Sequence, residues 1–330
     1  MTPPSSLAGL ISNFRTKRIL VVGDVMIDRY VFGRVERLNP EAPVPILHAK
    51  RTQDATGGAG NTAKNAASLG AVTTLVSVTG VDVSGRDLFA IAKGEGYDAV
   101  LIADPSRPTI EKKRYIVGSQ QMLRVDFEET HPIGSRVEDA VARAIDSAAA
   151  ACDAIIVSDY AKGTITPRVA DALLRASRDR GVPLMADIKP SNIQLFRGAS
   201  YLSPNRKEAH EYLGLNQHLQ GGRPREELAR RLRETFSAGI FLTLSEEGMY
   251  VLTGDTPGVH VPQAHRIEVA DTSGCGDTAA VAITLAKVCG ASDVEAALIG
   301  NAAGAVIATR IGAVALKPED LAAMLTNGIT

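Results

Sequence analysis

Short apolar runs that end in a polar residue recur along this chain. Arg18-Ile-Leu-Val-Val-Gly-Asp24 is the first, followed by Ala71–Val78, Ala154-Ile-Ile-Val-Ser-Asp159, Pro183-Leu-Met-Ala-Asp187 and Gly239–Leu244. Unbroken runs of this length predict strands buried on both faces. Between them, Asn61–Leu69, Val137–Ala150, Pro167–Arg180 and Arg225–Thr235 read as helices. Strand, helix, strand at this spacing predicts βαβ units and a parallel sheet covered on both sides. Ligands of such sheets bind beyond the carboxyl ends of the strands. The Asp, Ser and Thr residues that close several runs are therefore expected to gather at one site.

Two segments break the rhythm. Tyr30–Arg51 carries Pro40, Pro43 and Pro45 among alternating apolar residues, and Thr109–Phe127 alternates like an exposed sheet. Together they predict a small β layer inserted in, and covering, the main domain, with lid segments at about 30–51 and 109–127. No linker or long repeat divides the 330 residues, so one domain spanning 1–330 is expected.

Composition narrows the function. The net charge is −1, which gives no global attraction to nucleic acid or an anionic membrane. With no Trp, 7 Tyr and 7 Phe, a base-stacking platform is not expected. The three cysteines, Cys152, Cys275 and Cys289, lack CxxC spacing, which argues against a zinc site or disulfide framework and for a reducing cytoplasm. The N-terminal charges follow the apolar stretch instead of preceding it, unlike a secretory signal, and the apolar run near Ala279–Ala286 stops at Lys287, short of a membrane span. A cytoplasmic protein is expected.

The common nucleotide signatures fail. No GxxxxGK[ST] is present. Gly58-Ala-Gly60-Asn-Thr-Ala63 fits a relaxed GxGxxG/A, but Arg51–Thr56 before it does not read as a hydrophobic strand, so a dinucleotide site is not expected. HExxH and GxSxG are absent. What remains is Asp271-Thr-Ser-Gly274-Cys-Gly276-Asp277, at the mouth of an apolar helical stretch, Thr278–Lys287. A helix N-terminus offers unpaired N–H groups and partial positive charge, and glycines let a phosphate approach them. Asp277 in the first turn could accept a proton from an attacking hydroxyl, or could merely complement the helix N-terminus. Asp271 lies too far back for that role and would order the loop or touch a cation.

Four motifs in order support the catalytic alternative. Gly23-Asp24-Val-Met-Ile-Asp28, Gly57-Gly-Ala-Gly-Asn61, Asn205-Arg-Lys-Glu208 and Asp271-Thr-Ser-Gly-Cys-Gly-Asp277 resemble the motifs of the ribokinase-type (PfkB) carbohydrate kinases. The one departure is Cys275, where that family usually has Ala. The resemblance implies an α/β, ribokinase-like three-layer αβα fold with a mostly parallel central sheet and a small β lid. Within the family, GDVMIDRY, LNPEAPVPIL, LRVDFEE, SDYAKG and SPNRKE resemble the heptose 7-phosphate kinases of ADP-heptose synthesis. Many of these are fused to a nucleotidyltransferase bearing HxGH; with no HxGH in the chain, a free-standing kinase is expected. Alternatives are a kinase of another sugar, sugar phosphate or nucleoside, and a catalytically silent sugar- or nucleotide-binding regulator.

The resemblance implies residue roles. Asp277 is the general base, and Gly274, Cys275 and Gly276 supply backbone donors as an anion hole. Asp28, Gly57, Gly58 and Asn61 hold sugar hydroxyls, with Asp24 a second acidic candidate. Asn205 and Glu208 organise Mg²⁺ and the ATP phosphates, though the same spacing suits a helix capping box; both can hold at once. Lys189 faces the phosphates, Ser245, Gly248 and Asn301 contact adenine, and Asp271 is a candidate ligand of a monovalent cation such as K⁺. For the 7-phosphate, Lys112, Lys113, Arg114, Arg124, Lys162 and Lys189 are available, with Arg124 the preferred lid contact and Lys112 beside it. Lid sheets pair across subunits in relatives, so a homodimer is expected. The partners implied are ATP and a sugar phosphate.

Overall fold

Side chains of the run Arg18–Gly23 divide between two cores: Ile19 and Val21 enter one, Leu20 and Val22 the other. Period-two side chains with both faces apolar place this strand in the middle of a sheet covered on both sides. The computed structural model describes residues 4–118, 120–215, 223–254, 257–264, 267–310, 312 and 314–327. In chain order the elements are α1 (Pro4–Ser12), β1 (Arg18–Gly23), β2 (Val25–Leu38), β3 (Pro45–Gly58), α2 (Ala59–Ser68), β4 (Val72–Thr79), α3 (Val83–Gly94), β5 (Asp98–Ala103), β6 (Glu111–Val117) and β7 (Gln120–Phe127). The second half continues with α4 (Ser135–Ala149), β8 (Ala154–Ser158), α5 (Pro167–Arg180), β9 (Leu184–Asp187), β10 (Tyr201–Leu202), α6 (Arg206–Tyr212) and α7 (Arg225–Phe236). It closes with β11 (Gly239–Thr243), β12 (Met249–Leu252), β13 (Val259–Val261), α8 (Cys275–Val288), α9 (Asp293–Ala308) and α10 (Pro318–Asn327).

The main sheet has nine strands in the order β13-β12-β11-β10-β9-β8-β1-β4-β5. From β11 to β5 neighbours are parallel; β12 and β13 add an antiparallel edge. One core is built under α2, α8 and α9, the other under α4, α5 and α7. This is the ribokinase-like three-layer arrangement. Each buried Val, Leu or Ile contributes about 1.5–3 kcal/mol.

A second sheet of four strands, β3-β2-β6-β7, forms the β layer over the main domain. Its strands begin nearer the core than the alternating pattern suggested: β2 starts at Val25 and β3 runs on to Gly58. Asp28 therefore lies on the root of the lid, opposite Ala55 and Lys112, and not at the end of the first parallel strand. The segment before Gly58-Ala-Gly60 is a strand after all. It was hidden because residues 48–53 are exposed, and a strand lying on top of the domain needs no apolar run.

Candidate active site

β1, β8 and β9 are neighbours in the sheet, so their carboxyl ends bring Asp24, Asp159 and Asp187 together, as the strand-end acids predicted. α8 begins over the same edge, and Asp277 in its first turn is 4% exposed. Asn61 Nδ2 donates to Asp277 Oδ2 at 2.8 Å, and the Tyr160 hydroxyl lies 2.9 Å from both carboxylate oxygens. Behind Asn61, Asn65 Nδ2 donates to the Asn61 carbonyl at 2.8 Å and Asn65 Oδ1 accepts from Leu316 N. Burial pushes the Asp277 carboxyl above its usual range; the bonds from Asn61 and Tyr160 and the charge of Lys189 oppose that rise.

Gly274 caps α8 with φ +77°, and a Cβ there would sit 2.7 Å from Asn61 Nδ2. Glycine is thus required both by the left-handed turn and by the amide that reaches the base. The Gly274, Gly276 and Asp277 amides donate to no described residue, as expected of a helix first turn. Cys275 departs from its expected role: its N–H donates to the Thr272 carbonyl at 3.3 Å, because the chain turns there before entering the helix. Its thiol is pushed up to about 11 by burial and the charges of Asp271 and Asp277, so it stays protonated at neutral pH.

Asp28, at the root of β2, pairs with Arg114 of β6. A Cβ on Gly57 would lie 2.2 Å from Asp28 Oδ2, so the glycine makes room for that carboxylate. Asp24 is different. It is 1% exposed, and its oxygens accept from the amides of Tyr160 (2.9 Å), Lys162 (3.0 Å) and Thr164 (3.0 Å). Asp24 therefore anchors the loop after β8 and does not present itself to a sugar. Arg107 ties the same loop to β5, donating to the Lys162 carbonyl at 2.9 Å while paired with Asp104.

The basic residues of the lid also sort differently from the expectation. Arg124 is 49% exposed and held on Asp126, while Arg114, opposite it on β6, is half-buried beside Asp28. Lys112 is bound by Asp126 at 2.9 Å and Glu128 at 3.2 Å, and Lys162 reaches Glu128 at 2.6 Å. Strand position is the reason: the two arginines face each other in register, but β6 lies inside the sheet against β2, which carries Asp28, whereas β7 is the edge strand.

Asn205 and Glu208 form a full capping box at the start of α6: Asn205 Oδ1 accepts from Glu208 N at 2.9 Å, and Glu208 Oε2 accepts from Asn205 N at 3.1 Å. Glu208 Oε1 accepts from Lys189 Nζ at 2.8 Å. Burial would lower the Lys189 ammonium, but its bond to Glu208 and the charges of Glu208 and Asp187 hold it above its usual value. Burial first, then the like charges of Asp277 and Glu208, push Asp187 well above the carboxylate range. No group of three or more His, Cys, Asp or Glu side chains is arranged to cage a metal among the described residues. The donor set fits Mg²⁺ nonetheless, because that ion is commonly held by one or two carboxylates plus water and phosphate oxygens. Asp187, Glu208 and Asp277 are also carboxylates crowded around one ammonium, an arrangement a cation relieves.

Asp271 orders its loop, accepting from Ser273 N at 2.8 Å and Gly312 N at 3.3 Å. Ser245 and Gly248 sit in the turn after β11, with φ of +55° and +92°. Asn301 is on α9, where its Nδ2 donates to the Val261 carbonyl at 3.0 Å and fastens β13; in this arrangement that amide nitrogen is committed to the strand. Tyr160 was not singled out from the sequence, and Asp187 only as the acid that ends one apolar run; the signal for Tyr160 was position alone, two residues beyond the end of β8.

The arrangement is that of a phosphotransferase: open helix-start amides for phosphates, a buried carboxylate in the same first turn, and a covering β sheet. Residues 16–320 match the pfkB family of carbohydrate kinases. The bifunctional protein HldE of Caulobacter vibrioides is 38% identical over 98% of this chain, and that of Geotalea uraniireducens is 36% identical over 96%. The chain spans 66% and 64% of the length of these two relatives. Among solved structures, phosphofructokinase-2 from Escherichia coli in complex with potassium superposes with a TM-score of 0.78 at 16% identity, covering 95% of this chain and all of that one. Arabidopsis thaliana ribokinase complexed with ribose and ATP gives 0.69 at 19% identity, covering 94% of this chain and 98% of that one. The chain belongs to the pfkB family of carbohydrate kinases and is an ATP-dependent sugar kinase.

Proposed function

We propose that this kinase transfers the ATP γ-phosphoryl group to the anomeric C1 hydroxyl of D-glycero-D-manno-heptose 7-phosphate. The product would be heptose 1,7-bisphosphate, for ADP-heptose and lipopolysaccharide inner-core synthesis. The reading rests on Asp277, a buried carboxylate held by Asn61 and Tyr160, with Arg114 and Lys112 on the lid and Lys162 on the loop after β8. The choice of heptose is supported by the HldE relatives, 38% to 34% identical along nearly the whole chain. The proposal concerns the kinase step alone.

In this mechanism the acceptor hydroxyl oxygen attacks the γ-phosphorus in line, the bond to the β,γ-bridging oxygen breaks, and ADP leaves. Asp277 takes the hydroxyl proton. The Gly274, Gly276 and Asp277 amides stabilise negative charge developing on the phosphoryl oxygens. Asp28, Asn61 and the backbone at Gly57 and Gly58 hold the sugar, and Arg114 neutralises Asp28. Lys189 approaches the ATP phosphates, and the turn bearing Ser245 and Gly248 lies toward the adenine. Glu208, through water, and Asp187 would hold Mg²⁺, which when bound neutralises phosphate charge. A monovalent cation such as K⁺ is placed beside Asp271; the potassium complex of phosphofructokinase-2 supports this.

A homodimer through the lid is part of the proposal. Met122, Leu123 and Phe127 on the edge strand β7 are exposed, and an uncovered apolar edge invites pairing. A cytoplasmic location is proposed as well; among the described residues no helix is long and apolar enough to cross a membrane. The test is ADP release with Mg-ATP and a panel of heptose 7-phosphate, sedoheptulose 7-phosphate, fructose 6-phosphate, ribose and adenosine, for wild type and Asp277→Asn. Turnover with the heptose phosphate alone, lost in the variant, is expected. Preference for another acceptor overturns the substrate, and wild-type turnover in Asp277→Asn overturns the base.

A further inference from the structure

The geometry points to Tyr160 as the positioning residue of the base: its hydroxyl holds the Asp277 carboxylate ionised and aimed, and yields one oxygen to the acceptor hydroxyl. This rests on Asp277 being the base. The hydroxyl lies 2.9 Å from Oδ1 and 2.9 Å from Oδ2, on the bisector of the carboxylate, and so its single proton is shared between the two oxygens. Asn61 already donates to Oδ2, which leaves Oδ1 as the oxygen that a sugar hydroxyl can approach when Tyr160 turns wholly onto Oδ2. A donor that can serve either oxygen keeps the charge solvated throughout that exchange, in a place where only 4% of Asp277 meets solvent.

The protein invests heavily in holding this tyrosine. Its own amide and those of Lys162 and Thr164 are bound by the buried Asp24, and Ala161 N donates to Asp159 at 2.8 Å. Ala161 adopts a left-handed φ of +55°, a conformation costly for alanine, to make the turn. Arg107 binds the Lys162 carbonyl from the other side. The Lys189 ammonium lies 5.7 Å from the centre of the Tyr160 ring. A surface tyrosine needs none of these supports.

During transfer the acceptor oxygen bonds to phosphorus, its proton moves to Oδ1 of Asp277, and the Tyr160 proton stays on its own oxygen. Tyr160 remains neutral throughout, because burial and the charges of Asp277 and Asp187 raise its hydroxyl well above the usual range. Charged groups acting on Asp277 are Lys189 and Lys64, with Asp187 as a like charge; Asp28 acts on Tyr160. None of these is altered when the tyrosine hydroxyl alone is removed.

The test is the pH dependence of kcat for the full chain, with the acceptor that turns over fastest in the panel. Tyr160→Phe is expected to move the acidic limb up by about one pH unit, the equivalent of about a tenfold change in the proton affinity of Asp277. It should also lower kcat at pH 7, by up to about tenfold from the shifted limb, while the KM for ATP stays unchanged. A limb that does not move, or an equal loss at every pH, overturns the proposal. Incorporating 3-fluorotyrosine at 160 keeps the ring and strengthens the donor, so its limb should move below that of the wild type; this arm decides the matter should the phenylalanine variant fold poorly. Asp277→Asn run alongside separates the two ideas: full activity in it refutes the base itself, whatever Tyr160 does.

Discussion

Gly274→Ala disturbs the base through a residue that has no side chain of its own. Gly274 has φ +77°, where an alanine costs about 1–2 kcal/mol. Its new Cβ would lie 2.7 Å from Asn61 Nδ2, closer than carbon and nitrogen tolerate. The amide must turn away, and the 2.8 Å bond from Nδ2 to Asp277 Oδ2 is lost. A hydrogen bond to a charged group contributes about 1.5–3 kcal/mol. At 1.36 kcal/mol per decade this predicts a fall in kcat of about ten- to 160-fold, with stability reduced by about 1–2 kcal/mol from the backbone. Initial rates of ADP release and a melting curve measure both. Asn61→Ala removes the same bond from the other side, so the double variant should lose no more activity than Asn61→Ala alone. A Gly274→Ala enzyme with wild-type kcat, or activity losses that add in the double variant, would refute the reasoning.

Other expectations follow from the same geometry. Asp24→Ala leaves the buried amides of Tyr160, Lys162 and Thr164 without an acceptor, and should cost at least about 3 kcal/mol by urea unfolding, at about 1 kcal/mol or more for each orphaned group. Arg114→Ala should raise the KM for the sugar at least about tenfold and spare that for ATP, whereas Arg124→Ala, half exposed, should change stability by less than about 0.5 kcal/mol. Stability should also fall on the acid side. Burial would raise Asp82, but hydrogen bonds from Thr109 and Gly85 hold it below the carboxylate range, and bonds from Ser106 and Arg107 do the same for Asp104. A depressed folded pKa means that this stabilisation is complete above the unfolded value of about 4 and is lost as pH falls through the lower folded value. Asp82→Asn should therefore flatten the dependence of melting temperature on pH below about 4.

The sequence by itself determined the parallel sheet, its covering helices and the place of the chemistry. Runs such as Ala154–Ser158 and the helix Pro167–Arg180 are written in local apolar spacing, which backbone geometry converts directly into elements. Asp277 and Gly274 were legible because a helix mouth and a glycine turn impose residue types at fixed spacing, and Asn61 through the resemblance of Gly57-Gly-Ala-Gly-Asn61 to the family's glycine motif. The tertiary structure alone decided which polar groups face each other. Asp24 and Asp28 are four residues apart and equally acidic, yet three backbone amides claim the first and Arg114 of the lid claims the second. Arg114 and Arg124 face each other in register and differ in strand, one on inner β6 and the other on edge β7, and Tyr160 meets Asp277 across 117 positions of chain. Such pairings depend on how distant segments pack, and no periodicity within a segment carries that information.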